Sequence, residues 1–369
     1  MDYTAPASDE LEVSLFGPGV GECVVVHLGD GAWMVVDSCV AGSPRAPVAL
    51  NYLRRLNVDL AKSVKLVVAT HMDDDHMRGL SEVYAECVAA TLVLSSALRT
   101  DEAKRAVQVQ FAAGPSLERG TNGLEELTSL LSHRLRRASS GSHSEQRSAI
   151  ADRLIWPTSP STLQCGLAVA VHALSPSDAA VEEVRNALAA RAYLPGSPPR
   201  VFKEPSRNQV SVVLHVALGN AAALLGADLE TTGQVDTGWT AVVERTAKKS
   251  PAQIVKIPHH GSENAHHDGM WSALLDANPL ACIAPYRRSG IPHPGHIKRI
   301  KSHTPHVYVT APSDARPVIA PPRNAGRRLK WQRHIVTPAR GAVGHVRARL
   351  SGQGQTPVSV ALQEPAYRA

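Results

Sequence analysis

Potential metal ligands crowd one short segment of the chain. They occupy four of its six positions: His71, Asp73, Asp75 and His76. The preceding run VKLVVAT (64–70) is typical of a buried strand, and a helical pattern begins near Gly79. A loop at the end of a strand can direct alternate side chains at one point, so the first two ligands could share one metal ion while the last two turn toward another. Imidazole together with carboxylate suits zinc, manganese or iron.

The same residues could instead form a solvated acidic loop whose aspartates cap the following helix. One isolated carboxylate would fit that alternative as well as it fits a metal site. A cluster of two histidines and several aspartates fits it poorly. Asp74 is the exception, and we expect it to be exposed or to cap a helix.

The segment HMDDDH (71–76) resembles the HxHxDH signature of the metallo-β-lactamase superfamily, with Asp73 at the position of the second histidine. The ComEC-type DNA-uptake nuclease domains and the phosphorylcholine esterases are similar in using HxDxDH. The passage 15–39 also resembles the ComEC-type group, in which a Gly-x-Gly-acid turn leads one strand and a second strand ends on an aspartate, here Asp37. Because these glycines precede a strand rather than a helix, they do not predict a dinucleotide site.

A later passage, 207–230, is similar to the family's segment around the metal-bridging carboxylate. The resemblance implies that Asp228, just after a buried strand, bridges both metals. Most members of the superfamily supply a further histidine shortly before that strand, whereas this chain has Asn208 and Ser211 there. These two residues are candidates for contacting substrate, and Asn208 or water could complete the metal site.

The segment IVKIPHHGSENA (254–265) resembles the PHHGS motif of the ComEC-type group. The resemblance implies that one of His259 and His260 ligates the metal held by Asp75 and His76, with Gly261 next to the site. The sequence does not decide between the two histidines.

The passage 286–312 resembles the family's His-Pro helix and the strand after it. The resemblance implies that His293 lies near the site as a phosphate contact or proton donor, so we expect His293 and Asp75 to take part in catalysis. Arg287 and Arg288 are weaker candidates for binding substrate. His-Pro is also a common lead-in to a helix, which is an equal alternative for His293.

Short β-branched runs alternate with patterns of helical period, which predicts an α+β layered architecture. With the resemblance, the prediction is an αββα four-layer metallo-β-lactamase sandwich, in which 1–369 form a single domain. Two segments have no match in the family. They are a helical, partly flexible insertion at about 100–150 and a basic, proline-rich loop at 311–328.

The net charge is +6, and its distribution is uneven. Between Ala281 and Leu350, Asp314 is the only acid among many arginines and lysines. Such a surface would attract a polyanionic substrate such as DNA or RNA. A solvated basic tail is an equally good interpretation, and the sequence does not identify a protein partner.

Five scattered cysteines without a CxxC pair predict neither a disulfide framework nor a thiolate zinc cluster. The first residues lack the pattern of a signal peptide, and no run reaches about 18 apolar residues. We therefore expect a cytoplasmic protein that does not bind a membrane.

Hydrolysis is the reaction class that this site predicts. Two divalent ions about 3.5–4 Å apart can hold a bridging hydroxide as nucleophile and neutralise the charge that develops on the attacked centre. We expect a hydrolase with two divalent ions, Zn or Mn, and the basic segment favours a phosphodiesterase or nuclease. Hydrolysis of another ester, a lactone or a β-lactam would use the same metals without a basic surface. The alternative of another class is a non-catalytic metal-binding or sensing module of a multi-protein system.

Overall fold

Two eight-stranded sheets form the centre of the structure. The computed structural model describes residues 3–18, 21–99, 122–158, 164–192, 207–313, 343–354 and 358–369. In chain order the strands are β1 (Glu10–Pro18), β2 (Cys23–His27), β3 (Trp33–Val36), β4 (Val40–Ala41), β5 (Ala46–Pro47), β6 (Val64–Ala69), β7 (Thr91–Ser95), β8 (Gln146–Ala149), β9 (Arg153–Thr158), β10 (Val169–Ala173), β11 (Leu214–Leu218), β12 (Ala221–Leu225), β13 (Ala252–Lys256), β14 (Leu275–Ile283), β15 (Val307–Val309), β16 (Val343–Ser351), β17 (Ser359–Gln363) and β18 (Tyr367–Arg368).

Helices connect these strands and cover the outer faces of the sheets. They are α1 (Val48–Arg55), α2 (Leu60–Ser63), α3 (Asp74–Met77), α4 (Leu80–Glu86), α5 (Asn122–Ser139), α6 (Asp178–Ala192), α7 (Gly238–Arg245), α8 (Asp268–Ala273) and α9 (Pro294–Lys301). Short 3-10 turns occur at Ser96–Arg99, Arg207–Val210, Pro258–Gly261 and Glu263–Ala265. None of the described helices is both long enough and apolar enough to cross a bilayer.

Each sheet has an antiparallel half and a parallel half. The first sheet has the order β17-β16-β1-β2-β3-β6-β7-β8, and its parallel half runs from β3 to β8. The second has the order β18-β15-β14-β13-β12-β11-β10-β9, and its parallel half runs from β12 to β15. The small β4–β5 pair lies outside both sheets.

The sheets pack face to face, and helices cover the two outer faces. Leu66 and Val68 of β6 join Ile254 of β13 in the core between the sheets. Val67 of β6 points to the other side, where it packs with α1, α4 and α5. Val255 of β13 likewise packs with α7, α8 and α9. Because both faces of each sheet are covered, these strands are continuous apolar runs. The αββα sandwich predicted from the sequence is confirmed.

The parallel strands bring the predicted site residues to one end of the sandwich. Parallel strands that are neighbours in a sheet end at the same edge, so the residues that follow them lie close together. Asp37 follows β3 and His71 follows β6 in the first sheet, while Asp228 follows β12 and His260 follows β13 in the second.

The described part of the predicted insertion belongs to the layers of the sandwich. Helix α5 packs against α4, and its Leu127 and Leu130 are buried in the outer core of the first sheet. The end of the predicted insertion forms β8, which pairs in parallel with β7. Residues 100–121 lie outside the described residues, as does most of the predicted basic loop, because nothing between 314 and 342 is described.

If α5 is part of the core, Leu130→Ala will lower the free energy of unfolding by about 2–5 kcal/mol, because it leaves a cavity under the helix. Leu135→Ala is the matched control on the same helix, since Leu135 is 61% exposed, and it will change that free energy by less than about 0.5 kcal/mol. Equilibrium guanidinium denaturation measures both. Equal small effects would show that the helix is a dispensable appendage.

Candidate metal centre

The buried carboxylate of Asp37 organises the first half of the centre. Its Oδ1 accepts a hydrogen bond from the backbone N–H of Thr70 (2.8 Å). Its Oδ2 accepts from the Thr70 hydroxyl (2.7 Å) and from Nδ1 of His76 (2.8 Å). The backbone of Asp37 is left-handed, with φ of 56°, a conformation that aspartate tolerates better than most residues. Asp37 therefore joins the ends of β3 and β6 and fixes the orientation of one imidazole.

These hydrogen bonds determine which ring nitrogens face the centre. Because His76 donates from Nδ1, its Nε2 carries the lone pair whenever the ring is neutral. The Thr70 hydroxyl gives its proton to Asp37, so it accepts from Nδ1 of His71 at 2.9 Å, and the Nε2 of His71 also carries a lone pair. Both Nε2 atoms are buried and have no hydrogen-bond partner among the described residues. The two rings lie side by side with centroids 4.2 Å apart.

A sharp turn after β13 brings in a third imidazole. His259, His260 and Gly261 have φ values of 45°, 56° and 85°, so three successive residues are left-handed. This conformation is costly for non-glycine residues and persists where the surroundings fix it. The turn lets Nδ1 of His260 donate to the carbonyl of Ala284 (2.9 Å), which leaves its Nε2 facing the centre.

The carboxylates of Asp75 and Asp228 complete the group. Oδ2 of Asp228 lies 3.3 Å from Nε2 of His76 and 3.4 Å from Nε2 of His260. Oδ2 of Asp75 lies 3.3 Å from Nε2 of His260 and 3.8 Å from Nε2 of His76. Ligand atoms bonded to one zinc ion at about 2.0–2.2 Å are themselves separated by about 3.3–3.6 Å. The donor types, the spacing and the unpartnered nitrogens fit a divalent metal ion.

A second pair of donors adjoins this group. Nε2 of His71 lies 3.8 Å from Oδ2 of Asp73, whose side chain is one-third exposed. The two donor atoms of this pair are farther apart than those around Asp228, and the carboxylate is more exposed to solvent. Asp73 precedes α3, and His71 is fully buried. A second ion held here would have fewer protein ligands than the first.

The charges in the centre depend on one another. Burial lowers the pKa of His76, but the carboxylates of Asp228 and Asp75 outweigh burial and raise it well above its ordinary value. Burial raises the pKa of Asp75, but His76 and His260 hold it below its usual range. The carboxylates thus require positive charge nearby, and a divalent ion supplies it while releasing protons from the imidazoles. Burial and the neighbouring His76 lower the pKa of His71, which keeps that ring neutral.

An ion pair beside the ligands was not predicted from the sequence. Glu22 is buried and pairs with the buried Lys256. It approaches His260 and His76 on their Nδ1 sides, at 3.3 and 3.9 Å, and one of its oxygens lies within 4.8 Å of a carboxylate oxygen of Asp228. Nζ of Lys256 donates to the carbonyl of Ala227 (2.8 Å) and lies 3.5 Å from Oδ1 of Asp228. A lysine at the end of a largely buried strand was the available signal, since a buried charge needs a partner.

The structure does not bring His259 to the facing donors. Its Nδ1 donates to Oδ1 of Asn264 (3.0 Å), and its Nε2 accepts from Nδ2 of Asn208 (3.3 Å). Asn208 also donates to Glu230 (3.1 Å). Since Asn208 occupies the lone pair of His259, His260 is the histidine of this pair that is oriented to ligate. Asn208 belongs to a polar group with His259 and Glu230 beside the centre.

The remaining candidates occupy different surroundings. His293 is exposed and precedes α9, where its Nδ1 accepts from the backbone N–H of Gly295 (3.2 Å). This is the helix lead-in that the sequence offered as the alternative. Ser211 is buried, and its hydroxyl has no hydrogen-bond partner among the described residues. Arg287 and Arg288 follow Tyr286, whose ring stacks on His260 with centroids 5.3 Å apart.

Asp74 caps a helix, although not the one that follows it. Its Oδ1 accepts from the backbone N–H of Gly123 in the first turn of α5 (2.8 Å). A β-carbon on Gly123 would lie 1.9 Å from the carbonyl oxygen of Met72, so only glycine allows this approach. The ligand loop is thus held from outside by α5.

Comparisons with known proteins found similar solved structures, all at low identity. No protein-family model matches the chain, and no curated protein matches it. MEM-A1, a subclass B3 metallo-β-lactamase from a soil metagenome library, is 13% identical over 74% of this chain and 87% of its own, with a TM-score of 0.37. The metallo-β-lactamase SMB-1 is 13% identical over 70% of this chain and 82% of its own, with a TM-score of 0.33.

Zn²⁺-bound PqqB from Methylobacterium extorquens is 12% identical over 63% of this chain and 58% of its own, with a TM-score of 0.30. Identities and TM-scores this low are insufficient to transfer an activity, a substrate or a set of ligands to this chain. The resemblance to the ComEC-type group stays a prediction.

If Asp37 orients the imidazoles, Asp37→Asn will weaken Zn²⁺ binding by about 10–100-fold, because residues that orient metal ligands typically contribute that much to affinity. Competition with a chromophoric chelator measures the affinity of metal-stripped protein, and circular dichroism verifies the fold. Asp59→Asn, at the exposed start of α2, is the control and will bind as wild type does. Unchanged affinity in Asp37→Asn would contradict the role given to this carboxylate.

Proposed function

We propose that this protein is a metal-dependent hydrolase that acts on phosphodiesters, as a phosphodiesterase or nuclease. One observation carries the proposal: Nε2 atoms of His76 and His260 converge on the carboxylates of Asp75 and Asp228 at one end of the sandwich. Burying such a group of polar and charged side chains lowers the stability of the fold unless a bound ion compensates them. A centre of this composition is suited to hydrolysis.

Two divalent ions would be held by different ligands. One would be bound by Asp75, His76, Asp228 and His260, and the other by His71 and Asp73, with Asp228 shared between them. Mixed imidazole and carboxylate ligands accept zinc as well as manganese. When bound, such ions lower the pKa of water and neutralise negative charge on the group under attack.

The protein's own groups position these ligands. Asp37 and Thr70 fix the tautomers of His71 and His76, and the carbonyl of Ala284 fixes that of His260. Lys256 faces Oδ1 of Asp228, which leaves Oδ2 directed at the imidazoles. Ligands held in this way are pre-organised, so little is lost in ordering them when an ion or substrate binds.

Basic and polar groups beside the centre favour an anionic substrate. The turn that carries Arg287 and Arg288 begins at Tyr286, which stacks on His260. Nε of Arg287 makes no hydrogen bond among the described residues, and a guanidinium is a strong donor to oxygen anions. The group formed by Asn208, His259 and Glu230 adjoins the centre through His259, whose ring centroid lies 6.0 Å from that of His260, and it can bind polar parts of a substrate.

Hydrolysis of bis(p-nitrophenyl) phosphate and of linear and circular DNA tests the proposal. Metal-stripped protein is assayed with Mn²⁺ or Zn²⁺, beside p-nitrophenyl acetate and a chromogenic β-lactam. We expect metal-dependent cleavage of the phosphodiesters, reduced at least ~100-fold in Asp75→Ala/His76→Ala because the ion is no longer held. Asp59→Ala is the control and will retain activity.

The other outcomes distinguish the alternatives. Turnover of the acetate or the β-lactam alone would replace the phosphodiester with a neutral substrate and keep the hydrolase. Tight metal binding without turnover of any substrate would contradict hydrolysis and favour a binding or sensing module.

A further inference from the structure

A second group of metal-ligand side chains lies on the surface, at the start of α8. It consists of His266, Asp268 and His303. We propose that these residues form a separate binding site for Zn²⁺ or for another divalent ion that prefers imidazole and carboxylate ligands. The site shares no residue with the candidate metal centre, so it does not depend on the proposed function.

The geometry suits one ion. Oδ1 of Asp268 lies 3.1 Å from Nε2 of His266 and 3.8 Å from Nε2 of His303. These values bracket the separation of about 3.3–3.6 Å between donors on one tetrahedral zinc ion. Closing the site requires only small side-chain movements, and the Asp268 side chain can make them because it is 87% exposed. Two histidines and one carboxylate leave a further position for water.

The two imidazoles are held in place before any ion binds. The ring of Trp271, in α8, stacks on His303 with centroids 4.6 Å apart and planes 6° apart. The backbone of His266 is fixed on both sides: its N–H donates to the carbonyl of Glu263 (3.1 Å), and its carbonyl accepts from the Thr231 hydroxyl (2.9 Å). Both histidine side chains are about three-quarters buried, with exposures of 22% and 25%. Little conformational freedom is therefore lost on binding.

The nearby charges include one opposing cation. Burial and Arg299 lower the pKa of His266, which keeps its imidazole neutral and able to ligate. The guanidinium of Arg299 opposes a bound cation, but it is held by the carbonyls of Gly261 (2.9 Å) and Ser262 (3.2 Å). Asp268 supplies the negative charge that a divalent ion needs.

A bound ion would connect segments that are distant in the chain. His266 and Asp268 lie at the start of α8, and His303 follows the end of α9. Arg299 of α9 donates to the turn that contains His260. An ion at this site would therefore fasten α8 to the helix that supports a ligand turn of the main centre, which makes it a stabilising site.

The number of Zn²⁺ ions bound by the metal-stripped full chain tests the inference. Native mass spectrometry and elemental analysis after desalting count the ions in wild type, Asp268→Asn, His303→Gln and the control His306→Gln. We expect each of the two site variants to bind one ion fewer than wild type, and His306→Gln to match wild type. Asp268 is exposed, so its substitution leaves folding intact.

A second comparison separates this site from the main centre. In a His76→Ala background, adding Asp268→Asn should lower the ion count by one further ion. Zn²⁺ should also raise the melting temperature of the His76→Ala protein by more than that of His76→Ala/Asp268→Asn. Equal ion counts in wild type and Asp268→Asn, at any value, would overturn the inference.

Discussion

The hydrogen bonds accepted by Asp37 are the interaction on which the rest of the site depends. One buried carboxylate joins the ends of β3 and β6 and sets the tautomers of two imidazoles, one directly and one through the Thr70 hydroxyl. If that carboxylate were missing, either ring could donate from Nε2, and the lone pairs would no longer converge. The left-handed backbone of Asp37 is the cost of placing it there.

The centre also imposes a balance of charge on the fold. Asp75 and Asp228 face two imidazoles, while Glu22 and Lys256 form a buried pair beside them. Removing one partner from a buried pair leaves an uncompensated charge, which is more costly than losing an exposed one. This arrangement explains why a buried lysine ends β13, and it makes the ligands of the site depend on one another. The site residues meet where the parallel strands of both sheets end.

The sequence predicted the layers and most of the facing donors, because apolar strand runs and the residues that follow them can be identified locally. It could not choose between His259 and His260, since the choice depends on three successive left-handed residues and on a hydrogen bond from Asn208. It placed Glu22 only as the acid of the Gly-x-Gly-acid turn and missed its buried pair with Lys256, because the two residues lie on distant strands. It predicted a helical insertion at about 100–150, but it could not show that Leu130 of α5 is buried or that Asp74 caps this helix, because both contacts join segments distant in the chain.

The most direct measurement is a crystal structure of the protein soaked in Zn²⁺ or Mn²⁺, with anomalous scattering to locate the ions. The account predicts an anomalous peak about 2.0–2.3 Å from Nε2 of His76, Nε2 of His260 and a carboxylate oxygen of Asp228, with Nδ1 of His76 still bonded to Asp37. Ions bound elsewhere on the chain, with no peak among these three residues, would contradict it.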